Sequence, residues 1–91
     1  MTYTVTFSED IDKTLAKFRK SNPAVYKKLM NFFHELMEHP RSGTGHVEPL
    51  LKGNSVTYSR TITKKDRLIY DVYDDEERVE ILQIESHYGD K

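Results

Sequence analysis

Arg67-Leu68-Ile69-Tyr70-Asp71-Val72-Tyr73 alternates between two polar clusters, Thr63-Lys64-Lys65-Asp66 and Asp74-Asp75-Glu76-Glu77. Leu68, Tyr70 and Val72 share one face, and Arg67, Ile69, Asp71 and Tyr73 share the other. A period of two bounded by turn residues predicts a strand. The clusters on either side predict hairpins, so about 56–62, 67–73 and 78–86 form an antiparallel meander. In the last of these the alternation breaks at Ile81-Leu82, which leaves two options: a bulge, or a strand buried on both faces.

Working outward toward the N-terminus, residues 41–55 contain Gly43, Gly45, Gly53 and Pro49 and lack clear periodicity. So long a connection is expected to be functional or mobile. Before it, Asn22-Pro23 opens a helix to about His39, ended by Pro40; Asn caps and Pro fits the first helical position. This helix carries two adjacent apolar stripes, Val25/Leu29/Phe32/Leu36 and Tyr26/Met30/Phe33/Met37. A shorter helix precedes it, with Ile11, Leu15 and Phe18 at helical spacing and Ser8 as its expected cap. The break at Ser21-Asn22 is short enough to make the two an αα-hairpin. Thr2-Tyr3-Thr4-Val5-Thr6-Phe7 alternates strictly and predicts a first strand. The expected architecture is α+β, in the order β-α-α-β-β-β. The sheet is antiparallel, with the first strand at one edge and the two-helix hairpin packed on one face.

The chain has 91 residues, which fits one domain spanning 1–91. It has no cysteine, which excludes disulfides, Cys-ligated zinc and thiolate chemistry. No apolar run reaches the ~18 residues of a membrane span, and the N-terminus lacks a signal-peptide pattern, so a cytoplasmic protein without a membrane partner is expected. The net charge of −1 hides a split. Residues 41–67 hold Arg41, Lys52, Arg60, Lys64, Lys65 and Arg67 against Glu48 and Asp66, a net +4, while 71–91 is strongly acidic. A basic middle between less basic flanks predicts a local anion site.

No phosphate-binding glycine motif is present in context. His34 and His39 are five apart and do not share a helical face, so no metal site is expected. What remains is Glu48 in the glycine-flanked loop, Arg60 and Arg67 on or beside neighbouring strands, and His87-Tyr88 after the last. A carboxylate, an imidazole and guanidinium groups suffice to cleave RNA without metal. One removes the 2′-hydroxyl proton, one protonates the leaving oxygen, and cations hold the phosphorane charge. Each is equally readable as an ordinary surface residue.

Gly43-Thr44-Gly45-His46-Val47-Glu48-Pro49-Leu50, Tyr58-Ser59-Arg60-Thr61-Ile62, Arg67-Leu68-Ile69-Tyr70 and His87-Tyr88 together resemble the YoeB/Txe family, toxins of the RelE/ParE superfamily. The family pattern is roughly G-x-G-x-P-E-P-L, an aromatic-S-R-R-I, R-L-[IV]-Y and a closing H-Y. The resemblance implies a RelE-like fold and a ribosome-dependent messenger-RNA endoribonuclease without a cofactor. Its products would carry a 2′,3′-cyclic phosphate and a 5′-hydroxyl. It further implies Glu48 as general base, Arg67 as stabiliser of the phosphorane, His87 as general acid and Tyr88 as a positioning group. Lys52 and Arg60 would contact phosphates, and Lys64 and Lys65 would add phosphate attraction. Implied partners are a YefM/Phd-type antitoxin, the ribosome with its mRNA, and operator DNA only through the antitoxin. A homodimer is left open.

The sequence departs from the pattern at Thr61, where the family has a second Arg, and at Val47, where it has Pro. Residues Gly89-Asp90-Lys91 extend beyond the closing pair. An alternative reading therefore stands beside the nuclease: a weakened or inactive toxin-fold protein that binds antitoxin and takes part in autoregulation.

Overall fold

The computed structural model describes residues 2–43, 47–49 and 56–86. Strand β1 (Thr4–Phe7) is followed by helices α1 (Ile11–Ser21) and α2 (Pro23–Leu36). Then come β2 (Val47–Pro49), β3 (Thr57–Thr61), β4 (Asp66–Tyr73) and β5 (Arg78–Ser86), with a 3-10 turn at Asp74–Glu76. The five strands form one sheet in the order β1-β5-β4-β3-β2.

The three-strand meander lies where the alternation put it. β3, β4 and β5 pair antiparallel. The sheet as a whole is mixed, because β1 runs parallel to β5. Hairpin turns reverse direction at each step of the meander, whereas β1 reaches the sheet through the helices, so no local turn sets its direction. The short strand β2 lies inside the connection read from sequence as aperiodic, and it pairs with β3. Three residues ending in a proline are too few to show a period.

The break at Ile81-Leu82 is a bulge: Tyr70 faces Ile81 while Ile69 faces Gln83, leaving Leu82 as the extra residue. Ser8 meets it there. Its backbone N–H donates to the Ile81 carbonyl and its hydroxyl to the Leu82 carbonyl, at 2.9 and 3.0 Å. Ser8 is thus used at the bulge and is not the cap of α1. That position is Asp10, in the left-handed region at φ 78° and without a side-chain cap bond. Asn22 does cap α2, its side-chain oxygen accepting from the Val25 N–H at 3.4 Å. The helix ends at Leu36, short of His39, where the chain tightens: the Met37 and Glu38 N–H groups donate to the His34 and Glu35 carbonyls at 3.3 and 3.1 Å.

The core lies between the helices and one face of the sheet. Leu29, Phe32 and Leu36 from α2 meet Leu68, Tyr70 and Val72 from β4 and Val79 and Ile81 from β5, all at most 2% exposed. Each such apolar side chain contributes ~1.5–3 kcal/mol on burial. The second stripe of α2 is only partly used. Phe33 packs edge-on against Phe7 with ring centroids 5.3 Å apart, and Phe7 and Met37 remain exposed. No helix among the described residues is long and apolar enough to cross a membrane.

Candidate active site

The geometry of the site follows from the register of three strands. Glu48 on β2 pairs with Ser59 on β3, and Thr61 on β3 pairs with Arg67 on β4. Side chains alternate along a strand, so Glu48, Ser59, Thr61 and Arg67 share the face away from the helices. Val47, Arg60 and Leu68, which are paired in turn, take the helix side.

The β3–β4 turn is tied by one side chain. The Thr63 hydroxyl accepts from the N–H groups of Lys65 and Asp66 at 3.1 and 3.0 Å, and donates to the Asp66 carboxylate at 2.8 Å. The Asp66 carbonyl accepts from the N–H groups of Ile62 and Thr63. A short polar side chain that satisfies turn amides fixes the loop without a glycine. The exposed Lys64 and Lys65 are thereby held beside Arg67.

These elements enclose a hollow of about 230 Å³ lined by Glu48, Thr61, Thr63, Lys64, Lys65, Asp66 and Arg67. The structure thus brings together four of the residues singled out from sequence: Glu48, Arg67, Lys64 and Lys65. Three cationic side chains against two carboxylates, Glu48 and the turn-bound Asp66, leave the hollow a net positive charge, which suits an anionic ligand that gives up a proton. Thr61 and Thr63 also line the hollow. The pairing of Thr61 with Arg67 could have been read from the hairpin; the Thr63 hydroxyl bonds needed coordinates. Among the described residues no three His, Asp or Glu side chains come together as a metal-binding set.

Lys52, His87 and Tyr88, expected as phosphate contact, general acid and positioning group, lie outside the described residues.

Arg60 corrects an expectation. Read from sequence as a phosphate contact, it is wholly buried, with 0% exposure, on the opposite side of the sheet from the hollow. Its Nη1 pairs with the Glu35 carboxylate, and its Nη2 donates to the carbonyls of Ser42 and His39 at 2.8 and 3.3 Å. The guanidinium lies over the rings of Phe32 and Tyr70, 5.4 and 5.9 Å from their centroids. Strand parity carries this signal: Arg60 shares its face with Tyr58 and Ile62, so it must point where they point. Its Nη1 and Nη2 donors meet protein acceptors beneath the sheet, while Nε is buried there without a hydrogen-bond partner, so the group is directed away from a phosphate on the other face.

A second arginine fastens the opposite end of β4. Arg41 forms two hydrogen bonds to the Asp74 carboxylate, at 3.0 and 2.9 Å, and a third to the Tyr58 hydroxyl at 3.0 Å. The Tyr3 hydroxyl donates to the same carboxylate at 2.6 Å. The hydrogen bonds from Arg41 and then Tyr3 hold the Asp74 carboxyl below its ordinary range, and the Asp74 bond raises the Tyr3 hydroxyl. The Tyr70 hydroxyl, raised by burial, donates to the Pro40 carbonyl at 2.9 Å.

Two helices on one face of a five-stranded mixed sheet, with the hollow on the other, make an α+β fold of the RelE-like kind. Solved structures agree. A YoeB/ParE toxin from Agrobacterium tumefaciens superposes with a TM-score of 0.81 at 22% identity, covering 93% of this chain and 99% of that one. A YoeB–YefM complex from Staphylococcus aureus gives 0.77 at 26% identity, covering 97% and 100%. A YoeB dimer from the same organism gives 0.79 at 25% identity, again covering 97% and 100%. A search of curated proteins finds no significant match. The family model for the YoeB-like toxin of bacterial type II toxin–antitoxin systems matches residues 7–88, so the chain belongs to that family.

Proposed function

We propose that this chain is a messenger-RNA endoribonuclease that acts on the ribosome and is held inactive by an antitoxin. The observation that carries the reading is the convergence of Glu48, Arg67, Lys64 and Lys65 on one hollow, in a chain of the YoeB-like toxin family. Glu48 takes the proton of the 2′-hydroxyl, whose oxygen attacks the adjacent phosphorus. Arg67 offsets the charge that gathers on the phosphorane oxygens. Lys64 and Lys65 hold flanking phosphates, a role suited to mobile point charges. His87 gives a proton to the leaving 5′-oxygen, and Tyr88 orients the nucleotide; Lys52 adds a phosphate contact. The products are a 2′,3′-cyclic phosphate and a 5′-hydroxyl, formed without metal or cofactor.

The partner follows from the same charges. An antitoxin segment with carboxylates and apolar side chains would pair with Arg67 and the basic hairpin and fold on contact. Arg60 takes no part, because it is buried. The S. aureus relative is described in complex with YefM, which supports a YefM/Phd-type partner. The dimeric relative supports self-association of this chain. Contact with operator DNA would run through the antitoxin, and the site of action would be the cytoplasm.

Thr61 favours a second reading. It lines the hollow at a position where the family pattern has arginine, so one cation is missing from the site. A weakened or inactive toxin that still binds antitoxin would result.

Single-turnover cleavage of messenger RNA on programmed ribosomes separates the two. The nuclease reading expects cleavage with cyclic phosphate ends and a fall of ~100–10,000-fold in Glu48→Gln and His87→Gln, the usual range for one acid–base group. Ribosome binding should survive both changes, since phosphate contacts dominate affinity. Folded, abundant protein that leaves translation and growth untouched would instead establish the second reading.

A further inference from the structure

Strand β2 carries Glu48 and, among the described residues, sits at the edge of the sheet and pairs with β3 alone. Its third residue, Pro49, has no N–H to donate. A strand at a sheet edge is held from one side only. Support from beyond β3 would keep Glu48 pointing in one direction.

Arg60 is the register partner of Val47, immediately beside Glu48 in β2. From that position its side chain crosses beneath the sheet to Glu35, near the C-terminal end of α2, and to the carbonyls of His39 and Ser42. The Tyr70 hydroxyl takes the Pro40 carbonyl between them. Gly43 then packs on the Glu35 carboxylate at φ +114°; a Cβ there would lie 2.6 Å from Glu35 Oε1. The chain leaving α2 is therefore fastened at residues 39, 40, 42 and 43, four residues before Val47.

We propose that the pair of buried Arg60 with Glu35, beside Gly43, is a positioning device that fixes β2 and so aims Glu48 into the hollow. Arg60 touches no substrate; it acts through the backbone of its neighbour. The effect on cleavage rests on Glu48 being the base, whereas the effect on β2 does not. A rigid support for a reacting group matters because a displacement of ~1 Å can cost ~100-fold in rate.

Three variants test this while keeping Arg60 in place: Gly43→Ala, Glu35→Ala and Glu35→Gln. Gly43→Ala introduces both a disfavoured φ and a clash that pushes Glu35 off Arg60. Glu35→Gln keeps the shape and an acceptor oxygen, and is the conservative rescue. Amide NMR spectra and hydrogen exchange are recorded on the full chain, with single-turnover cleavage and half-saturating ribosome concentration measured in parallel. Gly43→Ala and Glu35→Ala should shift the Val47 and Glu48 amides and speed β2 exchange about tenfold or more, leaving β4 and β5 amides in place. Cleavage should fall ~10–100-fold with half-saturation unchanged. Glu35→Gln, which keeps an acceptor but loses the counter-charge, should fall between wild type and Glu35→Ala in both readouts.

Unmoved Val47 and Glu48 amides in both disrupting variants would overturn the device, as would shifts spread evenly over β4 and β5. Wild-type protein that does not cleave would remove the nuclease reading instead, and the amide measurements would still decide whether the clamp sets β2.

Discussion

Arg60 and Arg67 lie on adjoining strands, one register step apart, and their surroundings are opposite. Arg60 faces the helices and is spent on Glu35 and two carbonyls. Arg67 faces away from them and lines a hollow with Glu48, Lys64 and Lys65. The same side chain is enclosed among protein acceptors on one face of a sheet and lines an open hollow on the other. The two faces teach that a cation's role here is set by strand parity, because a guanidinium turned to the covered face must find a counter-charge and acceptors there, as Arg60 does through Nη1 and Nη2.

The largest expected effect is on the helix side. Arg60→Ala empties a fully buried site and removes a donor from the Glu35 carboxylate and two loop carbonyls, and should cost ~2–5 kcal/mol in urea unfolding. Arg67→Ala should cost ~0–1 kcal/mol, the range for a partly exposed charged side chain, yet lower cleavage ~100–1,000-fold through lost charge stabilisation. Equal stability losses for the two arginines would erase the contrast between the faces.

A smaller effect sharpens it. Tyr70→Phe removes the hydroxyl that meets the Pro40 carbonyl while keeping the ring under Arg60. It should cost ~1–2 kcal/mol by thermal or urea unfolding. A value near zero would mean that the Arg60 bonds alone hold the segment.

The smallest effect is at the other end of β4. The Asp74 carboxyl is held below its ordinary range by Arg41 and Tyr3. A lowered carboxyl contributes stability that is fully present above its unfolded value, ~3.9, and is lost as pH falls through the lower folded value. Asp74→Asn should therefore be less stable than wild type near neutrality, with the gap in Tm closing as the pH drops below the carboxylate range. A gap that widens in acid would contradict this sign.

Much of this was legible beforehand. Alternation at Leu68, Tyr70 and Val72 defined the central strand, Asn22-Pro23 opened α2, and paired apolar stripes predicted the helical hairpin. These are local properties, set by the repeat of each element and by which residues satisfy its ends. The sequence also supplied Glu48, Arg67, Lys64 and Lys65 as a set of types. It could not say that they share one hollow, because that depends on the register of β2, β3 and β4, and register is a pairing between distant segments.

Tertiary structure alone decided the rest. It made the sheet mixed, since the helical crossover, unlike a hairpin turn, leaves the direction of β1 to packing. It resolved the break at Ile81-Leu82 as a bulge, because Ser8 supplies donors for the two carbonyls there. It also turned Arg60 from a ligand for phosphate into a clamp, because only the folded chain brings Glu35, His39 and Ser42 within reach of its guanidinium. Periodicity acts over a few residues and can be read along the chain; the partners of a buried charge come from anywhere in it, and only the packed structure names them.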